Sequence, residues 1–241
     1  GPSRWMTAPA LRTMRSMAIL VLIGRRPETV HPAHRRSAVS PVATRGRPRA
    51  VSREMLQEAA FECFLEHGYA KTTVEDIASR AGVGRSTFFG YFTGKADVFW
   101  LELDGAIAAV HDHCATAPRG QDPMVCARDA IIAGAQELGP SRVPWPLTQA
   151  QLIGADEQLR ASAAGIISTL AAVLADAIAR RTAPSCRALA APAAAALLGA
   201  TIVAVATWAD AGANRGALAP RIDEAIAPVV AGYGAALTPL G

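Results

Sequence analysis

The 241-residue chain lacks the residue patterns that mark common enzymes, metal sites and disulfide scaffolds. Its four cysteines include no close Cys-x-x-Cys pair, which argues against a disulfide framework and against a zinc ribbon. The sequence also has no nucleophile elbow, no phosphate-binding loop with its lysine, no dinucleotide fingerprint after a strand and no paired-carboxylate motif. We therefore predict a protein that is not an enzyme, that needs no cofactor or metal, and that works in a reduced, cytoplasmic setting.

Aromatic residues are also scarce, at 5% of the chain, whereas alanine is abundant and 51% of the residues are hydrophobic. Alanine favours helix over strand, and a chain of this length can bury a substantial core in one or two domains. The composition therefore predicts an all-α protein.

Acidic residues are almost absent from the first 53 positions, which contain eleven arginines and only one acid, Glu28. The rest of the chain has thirteen basic and nineteen acidic residues, so the net charge of +4 hides a basic N-terminal end and an acidic remainder. Such an asymmetry suits contact with phosphates. A solubilising tail would have the same composition, and the two roles are compatible.

Residues 1–44 are predicted to form a disordered extension, of which Gly1 and Pro2 match the remnant of a cleaved tag. The apolar run Met17–Ile23 faintly resembles a secretory signal, but it is short and has no convincing small-residue cleavage site.

Three arginines, Arg45, Arg47 and Arg49, then alternate with glycine and proline directly before the first predicted helix. An extended basic arm of this kind can enter a minor groove or follow the phosphates, and we name the three arginines as candidate DNA contacts. An ordinary solvated linker is the alternative.

The most informative stretch runs from Thr72 to Lys95 and is predicted to form two short helices joined by a tight turn. Thr73 and Asp76 have the spacing of a helix cap, so a helix should begin near Val74. Gly82 permits the left-handed backbone conformation that ends a helix. An earlier helix, capped by Ser52 and ending at Gly68, completes a three-helix unit.

The second helix of this pair is predicted to begin near Arg85, with Phe88 and Phe92 buried on one face. The residues left on the other face, or just past the helix end, are polar or small: Arg85, Ser86, Thr87, Gly90, Tyr91 and Lys95. Arginine can pair with guanine, whereas hydroxyls and lysine suit phosphate. The pattern is that of a helix-turn-helix with its recognition helix, although the same shape occurs in proteins that bind no DNA.

A dense set of residues between Arg53 and Trp100 matches one known family. The matching positions are Ala60, Phe64, HGY at 67–69, TTVEDIA at 72–78, AGV at 81–83, TFFGYF at 87–92 and Lys95. This run resembles the DNA-binding region of the TetR family of bacterial transcription regulators. It differs from the usual family pattern at Gly84, Phe89 and Gly90.

The resemblance implies a helix-turn-helix domain at residues 45–95 and a helical effector-binding and dimerisation domain at 96–241. It implies a homodimer that binds a palindromic double-stranded DNA operator, most often as a repressor. We expect Arg85 and Ser86 nearest to base edges. The expected phosphate or sugar contacts are Thr73, Thr87, Tyr91 and Lys95.

Beyond Lys95, the spacing of apolar residues predicts a single helix over 97–114. This helix would link the helix-turn-helix domain to the rest of the helical domain that follows, which we call the body. His111 and Cys114 share a face of this helix and could ligate a metal, but such a site would need further ligands from elsewhere and the helix has no HExxH pattern. We therefore prefer a polar pocket wall or a helix end. Asp122 with Pro123 should start the next helix, and Asp156 should cap a long one.

The segment Ala188–Ala209 carries no charge and is long enough to cross a membrane. Its small residues, its Pro192 and the lack of a second such segment favour a buried helix at an interface instead. Its predicted packing ridge consists of Leu197, Leu198, Thr201, Ile202, Val205 and Trp208. By resemblance, this helix and a final one opening at Pro220 would pair with their two-fold mates as a four-helix bundle.

An effector pocket is expected among the helices of the body, with mostly apolar walls suited to a small hydrophobic or amphipathic molecule. Residues of this kind are individually more often ordinary core than ligand contacts. The candidate wall residues are Leu103, Ile107, Val110, His111, Trp145, Leu152, Ile166 and Leu170. The sequence therefore predicts a ligand-responsive transcription regulator. A ligand-independent accessory DNA-binding protein and a membrane-associated protein are the alternatives.

Overall fold

The computed structural model describes residues 51–139, 154–212 and 215–237, and every regular element within these ranges is helical. The α-helices are α1 (Arg53–His67), α2 (Val74–Arg80), α3 (Arg85–Tyr91), α4 (Asp104–Thr116), α5 (Pro123–Gln136), α6 (Asp156–Ala179), α7 (Ala190–Asp210) and α8 (Leu218–Ala236). Two 3₁₀ segments, Asp97–Leu103 and Pro184–Leu189, precede α4 and α7. The all-α prediction is confirmed. The predicted extension at 1–44, the arm arginines and the candidate pocket residues Trp145 and Leu152 lie outside the described residues.

The helix boundaries of the N-terminal unit follow from local capping, as predicted. The Ser52 hydroxyl accepts a hydrogen bond from the Met55 amide at 3.2 Å. Thr73 and Asp76 form a complete capping box, with the Asp76 amide 3.1 Å from the Thr73 hydroxyl and the Thr73 amide 2.8 Å from the Asp76 carboxylate. Gly82 has a φ of 70°, so the turn between α2 and α3 uses the left-handed conformation that glycine tolerates.

Helices α1, α2 and α3 close around an aromatic core. The fully buried rings of Phe64, Phe88 and Phe99 lie here, and the rings of Phe64 and Phe99 are 5.4 Å apart. Tyr69 packs onto both Phe64 and Phe99, with ring centroids 5.1 and 5.6 Å apart. Leu159 from the start of α6 joins the same cluster, so the N-terminal unit packs directly against the body.

The single helix predicted over 97–114 is wrong, because the chain forms a 3₁₀ segment, Asp97–Leu103, before α4 begins. We call Asp97–Leu103 the linking segment. The Gln57 side-chain amide on α1 donates to the Val98 carbonyl at 2.7 Å. In an α-helix, the Val98 carbonyl would instead accept a hydrogen bond from the Glu102 amide, four residues later. The hydrogen bond from Gln57 therefore competes with α-helical pairing at this position.

The body is built from α4 to α8 around a second, mainly aliphatic core. Helix α7 packs between α6 and α8, and its Trp208 is completely buried. The prediction that Trp208 belongs to an interface ridge is therefore corrected, because its side chain packs within the chain itself. Pro228 lies inside α8.

Two helices of the described chain, within Glu157–Ala179 and Pro184–Asp210, are long and apolar enough to cross a membrane by length and composition. The expectation that the second has no companion of this kind is thus wrong. Both helices form part of the body and line the cavity described below.

Candidate nucleic-acid interface and apolar cavity

Helix α3 buries one face and exposes the other, as its sequence pattern predicts. Phe88 and Phe92 point into the aromatic core and are almost fully buried. On the outer side, Ser86, Thr87 and Gly90 are exposed or half-buried, and a Cβ atom added to Gly90 would meet no atom within 4 Å. The central part of this face therefore carries no large side chain and is accessible to solvent.

Arg85 is held at the edge of that face by two neighbours. Its guanidinium lies 2.6 Å from the Glu75 carboxylate on α2 and 5.3 Å from the centroid of the Phe89 ring, one helical turn later. The Arg85 side chain is nevertheless 63% exposed, so its donors can reach a ligand. An arginine oriented in this way suits bidentate pairing.

Tyr91 connects α3 to the chain that precedes α1. Its hydroxyl donates to the Val51 carbonyl at 2.8 Å, and its side chain remains exposed. The bond thereby fixes Val51, where the described part of the chain begins, next to α3.

Lys95 and Thr73 both have structural partners within the N-terminal unit. The Lys95 ammonium donates to the Tyr69 carbonyl at 2.6 Å and to the Thr72 carbonyl at 2.8 Å, and it lies 4.1 Å from the centroid of the Tyr69 ring. Burial lowers the pKa of Lys95. Because an ammonium has three donors, these two bonds leave one for a phosphate. The Thr73 hydroxyl is engaged in the capping box with Asp76.

Arg80 fastens α2 to α1. Its guanidinium bonds to Glu62 at 3.1 Å and to both carboxylate oxygens of Glu66. The hydrogen bonds from Arg80 lower the pKa of Glu66. All three side chains are substantially exposed, so we assign this cluster an orienting role rather than a large share of stability.

The linking segment is bonded to the N-terminal unit through polar side chains. Besides the Val98 carbonyl, the Gln57 amide donates to the Glu102 carboxylate at 3.1 Å. Burial raises the pKa of Glu102, and the backbone and Gln57 hydrogen bonds offset part of this rise. Arg53 at the start of α1 pairs with Asp104 at the start of α4.

The body contains a cavity of about 200 Å³ between the linking segment and helices α4 to α8. Five of the predicted effector residues lie on its wall: Leu103, Ile107, Val110, Ile166 and Leu170. His111 does not line it, although it is on the same helix as Ile107 and Val110. Among the described residues, no group of three or more His, Cys, Asp and Glu side chains could hold a metal ion.

The wall is almost entirely hydrocarbon, because its few polar side-chain groups are bonded to the protein. The Trp100 indole donates to the Ser162 hydroxyl at 2.8 Å, and the Trp208 indole donates to the Gly216 carbonyl at 2.9 Å. The Thr201 hydroxyl donates to the Leu197 carbonyl at 2.8 Å. A ligand here would be selected mainly by its apolar shape.

Sequence reasoning missed a large part of this wall. Trp100 and residues from α5 to α8 complete it, including Ile131, Leu138, Leu198, Thr201, Ile202, Val205, Trp208 and Ile222. The helical spacing of the α7 residues correctly predicts a packing ridge. Periodicity identifies the face of a helix but not the element that packs against it, so the sequence alone does not show that this ridge lines a cavity.

Comparisons with known proteins agree on one family. The model of bacterial regulatory proteins of the tetR family matches residues 56–99, and the model of the MftR C-terminal domain matches residues 121–234. Together they span 158 of the 241 residues.

Individual relatives match over shorter stretches. The HTH-type transcriptional regulator TtgR of Pseudomonas putida is 36% identical over 90 residues, covering 36% of this chain and 42% of the relative. The putative mycofactocin biosynthesis transcriptional regulator MftR of Mycobacterium tuberculosis is 33% identical over 63 residues, covering 26% of this chain and 32% of the relative. The chain thus matches less than half the length of these curated relatives. A crystal structure of Thermus thermophilus FadR, in complex with lauroyl-CoA, aligns with a TM-score of 0.47 and 22% identity over 74% of this chain and 93% of that one.

Proposed function

Because the chain belongs to the TetR family of bacterial regulatory proteins, we propose that it is a dimeric transcriptional repressor, released from a palindromic DNA operator by a small hydrophobic or amphipathic effector. In this proposal, residues 45–95 form the DNA-binding domain and the rest of the body binds the effector and the second subunit. One observation carries the proposal. The linking segment is bonded to the DNA-reading unit through Gln57 and lines the apolar cavity through Trp100 and Leu103.

The exposed face of α3 supports DNA reading. Its base-edge contacts would come from Arg85 and Ser86, since both lie near the start of the helix and away from the core. Contacts to the DNA backbone would come from Thr73, Thr87, Tyr91 and Lys95, with Arg45, Arg47 and Arg49 following from the arm. The Tyr91 bond to Val51 supports this arrangement, because it holds Val51, two residues after Arg49 in the sequence, beside α3.

The outer surfaces of α7 and α8 support a dimer. Pro192, Ala195 and Val203 are exposed along the outer side of α7, away from the cavity. Ala227, Ala231 and several neighbours on α8 are likewise small, uncharged and exposed. Faces of this kind allow two helices to approach closely, and depletion of charge is the mark of an interface centre.

The linking segment supports regulation by linkage. Trp100 presents its ring to the cavity while its indole bonds to Ser162 on α6. An effector that fits the cavity better in one arrangement of this segment would favour that arrangement. The position of α1 would change with it, and so would the positions of the two DNA-binding domains of the dimer. The operator affinity would fall by the ratio of the effector's affinities for the two arrangements.

The test of DNA binding is fluorescence anisotropy with duplexes from the gene's own upstream region, measured over a salt series. The variants are the wild type, Arg85→Ala, and Arg119→Ala, which removes the same charge from an exposed loop of the body. We expect salt-sensitive, sequence-specific binding that Arg85→Ala weakens by about 1 to 3 kcal/mol and that Arg119→Ala leaves nearly unchanged. Equal losses in both variants, or no specific duplex in a genomic selection, would contradict the proposal.

The test of regulation uses Trp100→Phe, which keeps an aromatic ring on the wall but removes the donor to Ser162. Apolar compounds that raise the melting temperature are first selected on the wild type. The ratio of operator affinities without and with such a compound should fall towards one in the variant, while the compound still binds. An unchanged ratio would show that regulation does not pass through Trp100.

Membrane association is the second candidate, prompted by the two long apolar helices. Sedimentation at micromolar concentration separates the two proposals. A stable dimer without detergent supports the regulator, whereas detergent-dependent solubility supports a membrane protein.

A further inference from the structure

Gln57 is a buried glutamine on α1, and the linking segment uses both donors of its side-chain amide. The residue is only 8% exposed. Its side-chain nitrogen donates to the Val98 carbonyl at 2.7 Å and to the Glu102 carboxylate at 3.1 Å. An amide nitrogen carries two hydrogens, so these two bonds satisfy it completely. Because a buried amide without partners is costly, the Gln57 side chain ties the form of the linking segment to α1.

The two residues that Gln57 joins are four apart, which is the spacing of an α-helical hydrogen bond. The linking segment instead pairs groups that are three residues apart. The Phe99 amide donates to the Ala96 carbonyl at 3.2 Å, and the Asp104 amide donates to the Leu101 carbonyl. Hydrogen-bond geometry is poorer in a 3₁₀ helix, and runs as long as this one are uncommon. Gln57 occupies a carbonyl that α-helical pairing would need, and it therefore favours the 3₁₀ form.

The form of the linking segment also decides how two cavity residues are placed. Trp100 and Leu103 both line the cavity and are three residues apart. In a 3₁₀ helix, residues at this spacing lie directly above one another, whereas in an α-helix they are about 60° apart around the axis. An α-helical segment of seven residues would also be about 3.5 Å shorter, because the rise per residue falls from about 2.0 to about 1.5 Å. A change of form would therefore alter both the cavity wall and the distance between α1 and the body.

Building on the proposed regulatory function, we infer that Gln57 is a positioning residue, which holds the linking segment in its 3₁₀ form against an α-helical form that an effector favours. A compound that needs more room than the cavity offers is accommodated when Trp100 or Leu103 turns away from it, and α-helical pairing produces such a turn. The Gln57 hydrogen bonds oppose this change. They therefore set the concentration of effector that releases the operator.

The test measures the concentration of an apolar compound that releases half of the operator from the full-length protein. The operator is selected from random duplexes, and the compound is selected on the wild type by the rise in melting temperature that it causes. Gln57→Met keeps the length of the side chain but has no donor, so the α-helical form should be reached more easily. We expect its half-release concentration to be about tenfold lower than that of the wild type, the factor that the net loss of such hydrogen bonds corresponds to.

Two further variants separate the donors from other effects of substitution. Gln57→Lys supplies donors that can reach the same carbonyl and carboxylate, so its half-release concentration should be close to that of the wild type. Gln121→Met removes a side-chain amide that bonds to Asp129 at 3.1 Å, away from the linking segment, and should leave the concentration unchanged. A purely structural role for Gln57 would lower the melting temperature of Gln57→Met without changing its half-release concentration, and that result would overturn the inference.

A measurement without DNA follows the linking segment itself. Hydrogen exchange of the Glu102 amide in the wild type should slow when the compound is saturating, because α-helical pairing gives this amide the Val98 carbonyl as its acceptor. Unchanged or faster exchange would overturn the inference even if the compound releases the operator, so this failure is distinct from a failure of the proposed function. If no specific duplex is selected, or if no apolar compound releases it, the proposed function fails and the inference fails with it.

Discussion

The contact between α4 and α5 forms one wall of the cavity and depends on a glycine. A Cβ atom at Gly134 would lie 2.8 Å from the Ala106 carbonyl oxygen and 2.8 Å from the Val110 Cγ2 atom. Ordinary contacts of this type are about 3.5 to 4 Å, so Gly134→Ala would force the helices apart by roughly 0.7 Å. One of the obstructing atoms belongs to the backbone of a helix, so a side-chain rotation cannot relieve the contact.

The expected cost is at the upper end of the overpacking range, about 3 kcal/mol, offset by about 1 kcal/mol because alanine favours helix over glycine. The matched control is Gly165→Ala on the exposed side of α6, where a Cβ atom would meet nothing within 4 Å. That variant should gain about 1 kcal/mol. The two alanine variants should therefore differ by about 3 kcal/mol.

Thermal unfolding followed by circular dichroism measures this difference. For a chain of this size, 1 kcal/mol corresponds to about 2 to 4 °C, so Gly134→Ala should melt roughly 6 to 12 °C below Gly165→Ala. If the two variants melt together, or if Gly134→Ala is the more stable, the close packing of α4 on α5 is refuted, and with it this wall of the cavity.

Three further predictions concern charge and capping. Glu102→Gln should raise the free energy of unfolding at pH 7, because burial raises the pKa of this carboxyl and so disfavours its charged form. Urea titrations should show the advantage of the variant disappear as the wild-type carboxyl becomes protonated in acid. Burial raises the pKa of Cys114 to about 11 from an ordinary value near 9. Because the unfolded thiol ionises first, stability should fall between pH 9 and 11, and Cys114→Ala should lessen that fall in the same titrations. Thr73→Ala should lower the free energy of unfolding by about 1 kcal/mol through loss of the capping box, as measured in urea, and an unchanged midpoint would contradict the observed hydrogen bonds.

The parts of the fold that the sequence predicted correctly are those decided by neighbours in the chain. Ser52, the Thr73 and Asp76 pair, and Gly82 act within four residues of themselves, so their roles can be read without knowing the tertiary structure. The burial of Phe88 follows in the same way from helical spacing.

The linking segment could not be predicted in this way. Its 3₁₀ form accompanies a hydrogen bond from Gln57 to the Val98 carbonyl, between residues 41 positions apart. Nothing in the local pattern of apolar residues signals that a carbonyl will be taken by a distant side chain. The inward face of Trp100 was missed for the same reason, since its partner Ser162 lies 62 residues away.

The volume of the cavity bears on whether an apolar ligand could operate the proposed switch. Unfilled volume in a protein core costs about 24 cal/mol per Å³, so a cavity of about 200 Å³ corresponds to about 5 kcal/mol. Moving a two-state equilibrium from 1:99 to 99:1 requires about 5.5 kcal/mol of differential binding. A ligand that fills the cavity in one arrangement and not in the other therefore has nearly enough free energy without any polar contact. A ligand of half that volume supplies only about half of this free energy. A series of apolar compounds of increasing size should therefore release the operator progressively rather than at a single size.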